Sequence, residues 1–149
     1  MGLLLVRHAD AVTATGGLAD TDRWLTPEGR TRAAQSARLL GERGVAFQHC
    51  VTSPRVRAVQ TAEIFARVLS FEGPVRVVPS LSFTCPARDA ARELAAIEGN
   101  VLAVGHMPTL AEIAQILCSG ERLRSLDTAE GLWINAGKVV WTIEAGLRD

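Results

Sequence analysis

Short apolar runs alternate along this chain with longer stretches of helical periodicity, and this alternation limits the fold more than any other feature. The runs at residues 3–6 and 101–104 are uninterrupted, which is typical of strands buried on both faces of a parallel sheet. Every strand candidate up to residue 104 is followed by a helix candidate. The alternation therefore predicts an α/β fold.

The boundaries of these elements follow from the periodicities and from proline and glycine punctuation. Strands are expected at residues 3–6, 45–52, 75–78 and 101–104, and helices are expected to open at Pro27, Pro54, Ala87 and Pro108. Thr26 is placed as the N-cap of the first helix. Residues 132–135 and 139–143, parted by a tight turn, predict two antiparallel strands at the C-terminal edge of the sheet.

The chain is long enough for one domain with a real core, and residues 1–149 contain no repeat or linker that would divide it. Cys50, Cys85 and Cys118 form no CxxC pair, which predicts free thiols in a reducing compartment. The first apolar run is too short for a signal peptide or a membrane span, so we expect a cytoplasmic protein. The three tryptophans, at 24, 133 and 141, are expected in the core.

The charges balance, since 16 basic and 16 acidic residues give a formal net charge of zero. Generic capture of nucleic acid or of an anionic membrane needs a basic excess, so neither is expected as a partner. Fifteen of the 16 basic residues are arginines, whose planar forks suit carboxylate or phosphate. Any anion site on this chain must therefore be local.

Three polar segments each follow directly after a predicted strand. They are Arg7 and His8 after the first, Ser53, Arg55 and Arg57 after the second, and Gly105 and His106 after the 101–104 strand. Because the carboxyl ends of parallel strands meet at one edge of the sheet, these side chains should converge in a crevice there. The third histidine, His49, begins no such segment and is expected to be an ordinary capped or solvated side chain.

A cluster of guanidinium and imidazole groups suits a phosphoryl group. Each arginine can hold two phosphate oxygens through charge-assisted hydrogen bonds, and the start of the helix after Pro54 adds free amide donors. A histidine with an ordinary pKa near about 6.5 is mostly neutral at neutral pH and can attack phosphorus to form a phosphoenzyme. A second imidazole can donate to the oxygens as charge builds.

Four motifs occur in an order and spacing that resemble the histidine phosphatase superfamily of phosphoglycerate mutase-like proteins, and within it the short bacterial phosphohistidine phosphatase branch. The motifs are LLLVRHAD at residues 3–10, LTPEGR at 25–30, SPRVRAVQTA at 53–62 and VGHMP at 104–108. The resemblance extends from residue 3 to about residue 118. It implies a three-layer α/β/α sandwich with a mostly parallel central sheet and an antiparallel C-terminal edge.

The resemblance also implies roles for individual residues. His8 is the phosphorylated nucleophile, while Arg7, Arg57 and His106 complete the phosphate pocket. Arg57 is preferred over Arg55 because it lies four residues after Ser53 and just before an alanine. Arg55 and Ser53 are then placed at the rim of the pocket, and no cofactor is required.

Two departures from the superfamily pattern matter. Ala9 follows the nucleophile where a glycine is usual, so the backbone there must avoid conformations that only glycine tolerates. The larger relatives carry an acidic general acid after the third strand, whereas residues 79–86 contain no carboxylate. Asp10 is the best substitute acid, with Asp20 and Asp22 as weaker candidates. The short span from residue 78 to residue 89 also leaves no room for a helical lid.

These features predict a phosphatase that acts through phospho-His8, most favourably on phosphohistidine in a protein, because an imidazole leaves more easily than an alkoxide. One alternative is a phosphatase of small esters such as a sugar phosphate or a nucleotide. Another is a low-turnover module that binds phosphate or a phosphoprotein. The product would be inorganic phosphate, and a monomer or weak oligomer is expected. The histidines have no metal-ligand spacing, so no metal is expected.

Overall fold

A six-stranded sheet forms the middle layer of the molecule. The computed structural model describes residues 2–119, 123 and 125–144. The strands are β1 (Gly2–Arg7), β2 (His49–Thr52), β3 (Val75–Val77), β4 (Val101–Gly105), β5 (Gly131–Asn135) and β6 (Lys138–Ile143). The helices are α1 (Pro27–Glu42), α2 (Val56–Val68), α3 (Ala87–Ala95) and α4 (Thr109–Leu117), with short 3-10 helices at Asp20–Asp22 and Pro79–Leu81.

The strand order in the sheet is β3-β2-β4-β1-β5-β6. The first four of these strands are parallel, while β5 pairs antiparallel with both β1 and β6. Arg7 stands opposite Gly105, and Thr52 stands opposite Val104, so β1, β4 and β2 end at the same edge. The predicted mostly parallel sheet with an antiparallel C-terminal edge is confirmed.

Alternate side chains of the central strands enter two separate cores, one on each face of the sheet. On β1, Leu3 and Leu5 pack into a core shared with α3 and α4, whereas Leu4 and Val6 pack into a core shared with α1 and α2. Strands β2 and β4 divide in the same way. This double burial explains the uninterrupted apolar runs, and the helices on both faces confirm the three-layer α/β/α sandwich.

The start of α1 is built against the loop that follows β1. The Thr26 hydroxyl accepts a hydrogen bond from the Gly29 amide (2.9 Å), and the Thr26 amide donates to the Asp10 carbonyl (3.0 Å). A Cβ atom at position 29 would lie 2.2 Å from the same carbonyl oxygen. Thr26 is thus the predicted N-cap, and a glycine at 29 lets the helix approach the site loop.

Two predicted boundaries were wrong. Strand β2 begins at His49 rather than at residue 45, because its partner strand β4 itself begins at Val101, which stands opposite His49. Just before β4, the amides of Gln48 and His49 share the Asn100 carbonyl instead of continuing the regular ladder. Helix α2 begins at Val56 rather than at Pro54, because Arg55 keeps an extended backbone as the N-cap.

The tryptophans are only partly as expected. Trp133 is buried and stacks on the partly buried Trp141, with ring centroids 5.4 Å apart. Trp24 is 48% exposed, so its predicted place in the core was wrong. It lies in the long loop between β1 and α1, where no helical or strand period fixes which side chains face inward. In the described part of the chain, no helix is long and apolar enough to cross a membrane.

Candidate active site

The segments that follow β1, β2 and β4 meet at the carboxyl edge of the sheet. The His8 amide donates to the Gly105 carbonyl (3.0 Å), and the Ser53 amide donates to the Val104 carbonyl (2.9 Å). The rings of His8 and His106 lie with their centroids 5.2 Å apart. Backbone hydrogen bonds that continue the sheet thus place two imidazoles side by side.

His8 is buried and presents one ring nitrogen to the site. Its Nδ1 lies 2.7 Å from the Ala9 carbonyl oxygen, which can only accept, so Nδ1 carries the proton and Nε2 keeps a free lone pair. Burial, with a smaller contribution from the charges of Arg57 and Arg7, lowers the pKa of His8 to about 4. The ring is therefore neutral at physiological pH, as a nucleophile must be.

His106 is more deeply buried, at 2% exposure. Its Nε2 lies 2.7 Å from the Ser53 hydroxyl, which also accepts from the Arg55 amide (3.3 Å). The serine hydrogen is then available to Nε2, and a neutral ring carries its own proton on Nδ1. Burial, followed by the neighbouring His8 and Arg57, lowers the pKa of His106 to about 3.

Ser53 therefore has a different position from the one predicted. The sequence places it at the rim of the pocket, whereas the structure buries it completely beneath His106. A serine that directly follows a strand and caps no helix has no sequence signal that distinguishes these two positions. Its contact with Nε2 is suited to holding the His106 ring in one orientation.

Two arginines each direct one buried nitrogen away from their protein partners. Arg7 donates through NH1 to the Leu126 carbonyl (2.9 Å), and Arg57 donates through NH1 and NH2 to Asp20. In the described part of the chain, neither Nε has a hydrogen-bond partner, and neither does Nδ1 of His106. Buried donors are nearly always paired in proteins, so these unpaired donors are suited to binding an anion such as a phosphoryl group.

Arg55 is also buried, at 8% exposure, and its Nε likewise has no hydrogen-bond partner in the described part of the chain. Its guanidinium carbon is 4.0 Å from the centre of the Phe83 ring, and its NH1 is 2.7 Å from Oδ2 of Asp20. The edge of Phe83 in turn contacts the His106 ring, with centroids 5.5 Å apart. Phe83 itself is 43% exposed, so the ring forms part of the mouth of the site.

The predicted acids lie in different surroundings. Asp10 uses one carboxylate oxygen to bind Arg32 (3.3 Å) and the other to accept from the Thr128 hydroxyl.

Asp20 accepts a hydrogen bond from Arg23, and this bond, together with the charges of Arg57 and Arg55, lowers the pKa of the Asp20 carboxyl and keeps it ionised. Asp22 is exposed and accepts from Thr21 (3.4 Å). His49 lies at the opposite end of β2, where its Nε2 contacts the Glu98 carbonyl (3.0 Å).

Two residues that sequence reasoning missed also shape the site. Thr61 accepts from the Ala9 amide (3.0 Å) and donates to the Arg57 carbonyl (2.8 Å), which ties α2 to the residue after His8. Its signal was a small polar residue four positions after Arg57, on the buried side of the helix. Phe83 carried a weaker signal as the large aromatic residue of the acid-free segment 79–86.

Residues 3–82, more than half of the chain, match the family profile named Histidine phosphatase superfamily (branch 1). The chain belongs to the histidine phosphatase superfamily. Phosphohistidine phosphatase SixA of Escherichia coli is 28% identical over 128 residues, which cover 81% of this chain and 76% of that protein. An uncharacterized protein of Picosynechococcus is 34% identical over 127 residues, covering 81% of this chain and 75% of that protein.

Solved structures of this superfamily share the fold. The protein histidine phosphatase SixA complexed with tungstate superposes with a TM-score of 0.90 at 24% identity, covering 97% of both chains. Mycobacterial glucosyl-3-phosphoglycerate phosphatase superposes with a TM-score of 0.68 at 21% identity, covering 90% of this chain and 92% of that one. The fold alone is therefore shared by phosphatases named for different substrates.

Proposed function

We propose that residues 1–149 form a single phosphatase domain that removes a phosphoryl group through a phosphohistidine intermediate on His8, with phosphohistidine in a protein as its substrate. The observation that carries the proposal is the set of unpaired, buried donors around a neutral imidazole. Arg7 Nε, Arg57 Nε and His106 Nδ1 offer three donors to an anion, and His8 Nε2 offers the lone pair.

The reaction follows from this arrangement in two transfers. In the first, His8 Nε2 attacks phosphorus, the bond from phosphorus to the leaving group breaks, and the arginines and His106 hold the phosphoryl oxygens as negative charge develops on them. In the second, water attacks phosphorus, the bond from phosphorus to His8 Nε2 breaks and its electron pair returns to Nε2, a proton from that water passes to solvent, and inorganic phosphate leaves. Nδ1 keeps its proton and donates it in a hydrogen bond to the Ala9 carbonyl oxygen throughout, which leaves Nε2 as the reacting nitrogen.

The substrate class follows from the leaving group. Residues 79–86 bring no carboxylate to the site, and Phe83 forms the wall there. Asp10 remains the candidate acid, but both of its oxygens already have partners. An imidazole titrates near neutrality and takes up its proton from water more readily than an alkoxide does. A site with this composition therefore favours phosphohistidine, the substrate named in its Escherichia coli relative.

The test is a substrate panel combined with trapping of the intermediate. The protein is offered a phosphohistidine protein, a sugar phosphate and an aryl phosphate at matched concentration, and the acid-labile phosphoenzyme is captured by rapid quench. We expect the highest kcat/KM with phosphohistidine and a phosphoenzyme that disappears in His8→Gln but persists in His49→Gln. Arg57→Ala should lose far more turnover than Arg55→Ala.

The alternatives have separate signatures in the same experiment. A preference for sugar phosphates would replace phosphohistidine as the substrate while keeping the intermediate. Tight vanadate binding with no turnover of even the aryl phosphate would indicate a binding module and refute the proposal. Turnover that survives in His8→Gln would remove His8 as the nucleophile.

A further inference from the structure

The loop before α1 sends a carboxylate into the arginine cluster. Asp20 belongs to the 3-10 helix Asp20–Asp22, and its side chain is 44% exposed. Its Oδ2 lies 2.7 Å from Arg55 NH1 and 3.3 Å from Arg57 NH2, while its Oδ1 lies 3.0 Å from Arg23 NH1. One exposed carboxylate thus joins three guanidinium groups that come from two different segments of the chain.

We infer that Asp20 is a positioning residue for the phosphoryl transfer, because it binds both terminal nitrogens of the Arg57 guanidinium and leaves the buried Nε available to the phosphoryl group. This inference rests on the proposed function. It differs from the acid role that the sequence suggested, since here the aspartate acts through an arginine and exchanges no proton.

The hydrogen bonds of Arg57 support this role. Its NH1 donates to the Asp20 backbone carbonyl (2.8 Å), and its NH2 donates to the Asp20 carboxylate (3.3 Å). Two contacts from one residue fix the plane of the guanidinium as well as its position. The third nitrogen, Nε, is buried and has no partner in the described part of the chain. Asp20 therefore binds both terminal nitrogens of the guanidinium, and Nε is left for the substrate.

The surroundings of Asp20 hold the aspartate itself in place. Arg23 donates from Nε to the Val12 carbonyl (2.6 Å) while its NH1 donates to the Asp20 carboxylate. Arg23 therefore fixes Asp20 to its own loop, and the ion pairs of Asp20 with Arg23, Arg55 and Arg57 are called the brace below. Arg55 is held between Asp20 and the ring of Phe83. These contacts fix the Arg55 guanidinium beside Asp20, and its Nε, like that of Arg57, has no partner in the described part of the chain.

The negative charge of Asp20 also offsets the repulsion among the neighbouring arginines. Arg23, Arg55 and Arg57 would repel one another if they were brought together without an anion, and the carboxylate offsets that repulsion. Because the carboxylate stays ionised at neutral pH, the brace persists in the absence of substrate. The site is thereby organised before the phosphoryl group arrives, which is the condition for strong electrostatic stabilisation.

The experiment compares Asp20→Asn and Asp20→Ala with Asp22→Asn, which changes a carboxylate in the same 3-10 helix that pairs with none of these arginines. Steady-state kinetics are measured with an aryl phosphate and an alkyl phosphate, and vanadate affinity is measured by calorimetry. Loss of orientation at Arg57 should lower kcat/KM and weaken vanadate roughly 10- to 100-fold, the range expected for a misplaced catalytic contact. Asp20→Ala should lose at least as much as Asp20→Asn, and Asp22→Asn should match the wild type.

Leaving-group dependence separates positioning from acid catalysis. A positioning residue lowers kcat/KM by the same factor for both substrates, whereas a general acid affects the alkyl phosphate far more than the aryl phosphate. The thermal midpoint should fall by only about 2 to 4 °C, because the lost carboxylate offsets repulsion among three arginines but is half-exposed and screened by solvent.

Three results would overturn the inference. Tighter vanadate binding in Asp20→Asn would mean that the carboxylate competes for the anion site instead of organising it. A loss confined to the alkyl phosphate would make Asp20 an acid, and unchanged constants would leave it without a role. If the wild type turns over no substrate, the proposed function fails, and the vanadate affinities still test Asp20 independently.

Discussion

Acidification from about pH 7 to about pH 5 should lower the free energy of unfolding of this protein, partly because of His106. Replacing His106 with glutamine should remove the part of that decrease that comes from this residue. The pKa of His106 falls from an ordinary 6.5 in the unfolded chain to about 3 in the folded protein. Between these values the unfolded state binds a proton that the folded state does not. The free energy of unfolding therefore falls as the pH drops below 6.5 and continues to fall until about pH 3.

The size of the effect follows from the burial of the ring. At pH 5 the unfolded chain, with a pKa about 1.5 pH units higher, gains roughly 2 kcal/mol from protonating this imidazole. The folded state gains almost nothing, because its pKa still lies well below the solution pH. His8, with a pKa of about 4, should add a loss of similar size.

Urea unfolding followed by tryptophan fluorescence measures this loss, since Trp133 is buried in the folded state. The wild type and His106→Gln are titrated at about pH 7, 6 and 5, and the free energies are extrapolated to water. Glutamine keeps a polar group near the Ser53 hydroxyl but cannot take up a proton in this range. The wild type should lose about 2 kcal/mol more than the variant between the two extremes.

The two proteins are compared by the slope of the free energy of unfolding against pH, so the absolute stability of the variant does not affect the test. Parallel pH profiles for the wild type and His106→Gln would show that this ring is not held neutral by the fold. A wild type that becomes more stable on acidification would reverse the sign and indicate that the ring gains an anionic partner on folding.

Two further substitutions test the packing that positions the site. Gly29→Ala places a Cβ 2.2 Å from the Asp10 carbonyl oxygen and should lower the free energy of unfolding by about 2 to 3 kcal/mol, within the range for overpacking. Gly41→Ala in the same helix has room for a Cβ and should be neutral or stabilising. A Gly29→Ala protein as stable as the wild type in urea would refute the close approach. Thr61→Val leaves the buried Ala9 amide without its acceptor and should cost about 1 to 3 kcal/mol with a fall in kcat; unchanged stability and turnover would show that this bond does not position the nucleophile.

Much of the fold could be predicted because local physics and the tertiary structure agree. The N-cap Thr26 followed by Pro27 marks the start of α1, and both features act within one turn of helix. The apolar runs of β1 and β4 identify central strands, since only strands covered on both faces need every side chain to be apolar. The convergence of His8 and His106 then follows from parallel pairing alone.

The rest of the site depends on contacts between distant segments that leave no local pattern. The path of the loop that carries Asp20 is set by its meeting with Arg55 and Arg57, more than 30 positions along the chain. Trp24 in the same loop has no period to assign it to the core or to solvent. Ser53 could be recognised as part of a motif, but whether it faces substrate or supports His106 depends on where β4 ends.

The central position of β1 sets the order in which this site is completed during synthesis. Strand β1 lies between β4 and β5, and the Arg7 amide and side chain donate to the carbonyls of Glu130 and Leu126, the latter 119 positions further along the chain. Such pairings between distant positions form late in folding, because closing a long loop costs entropy before the new contacts stabilise the chain. A nascent chain therefore carries His8, the proposed nucleophile, well before the segments that surround it, and its site is completed only after about 120 further residues have emerged.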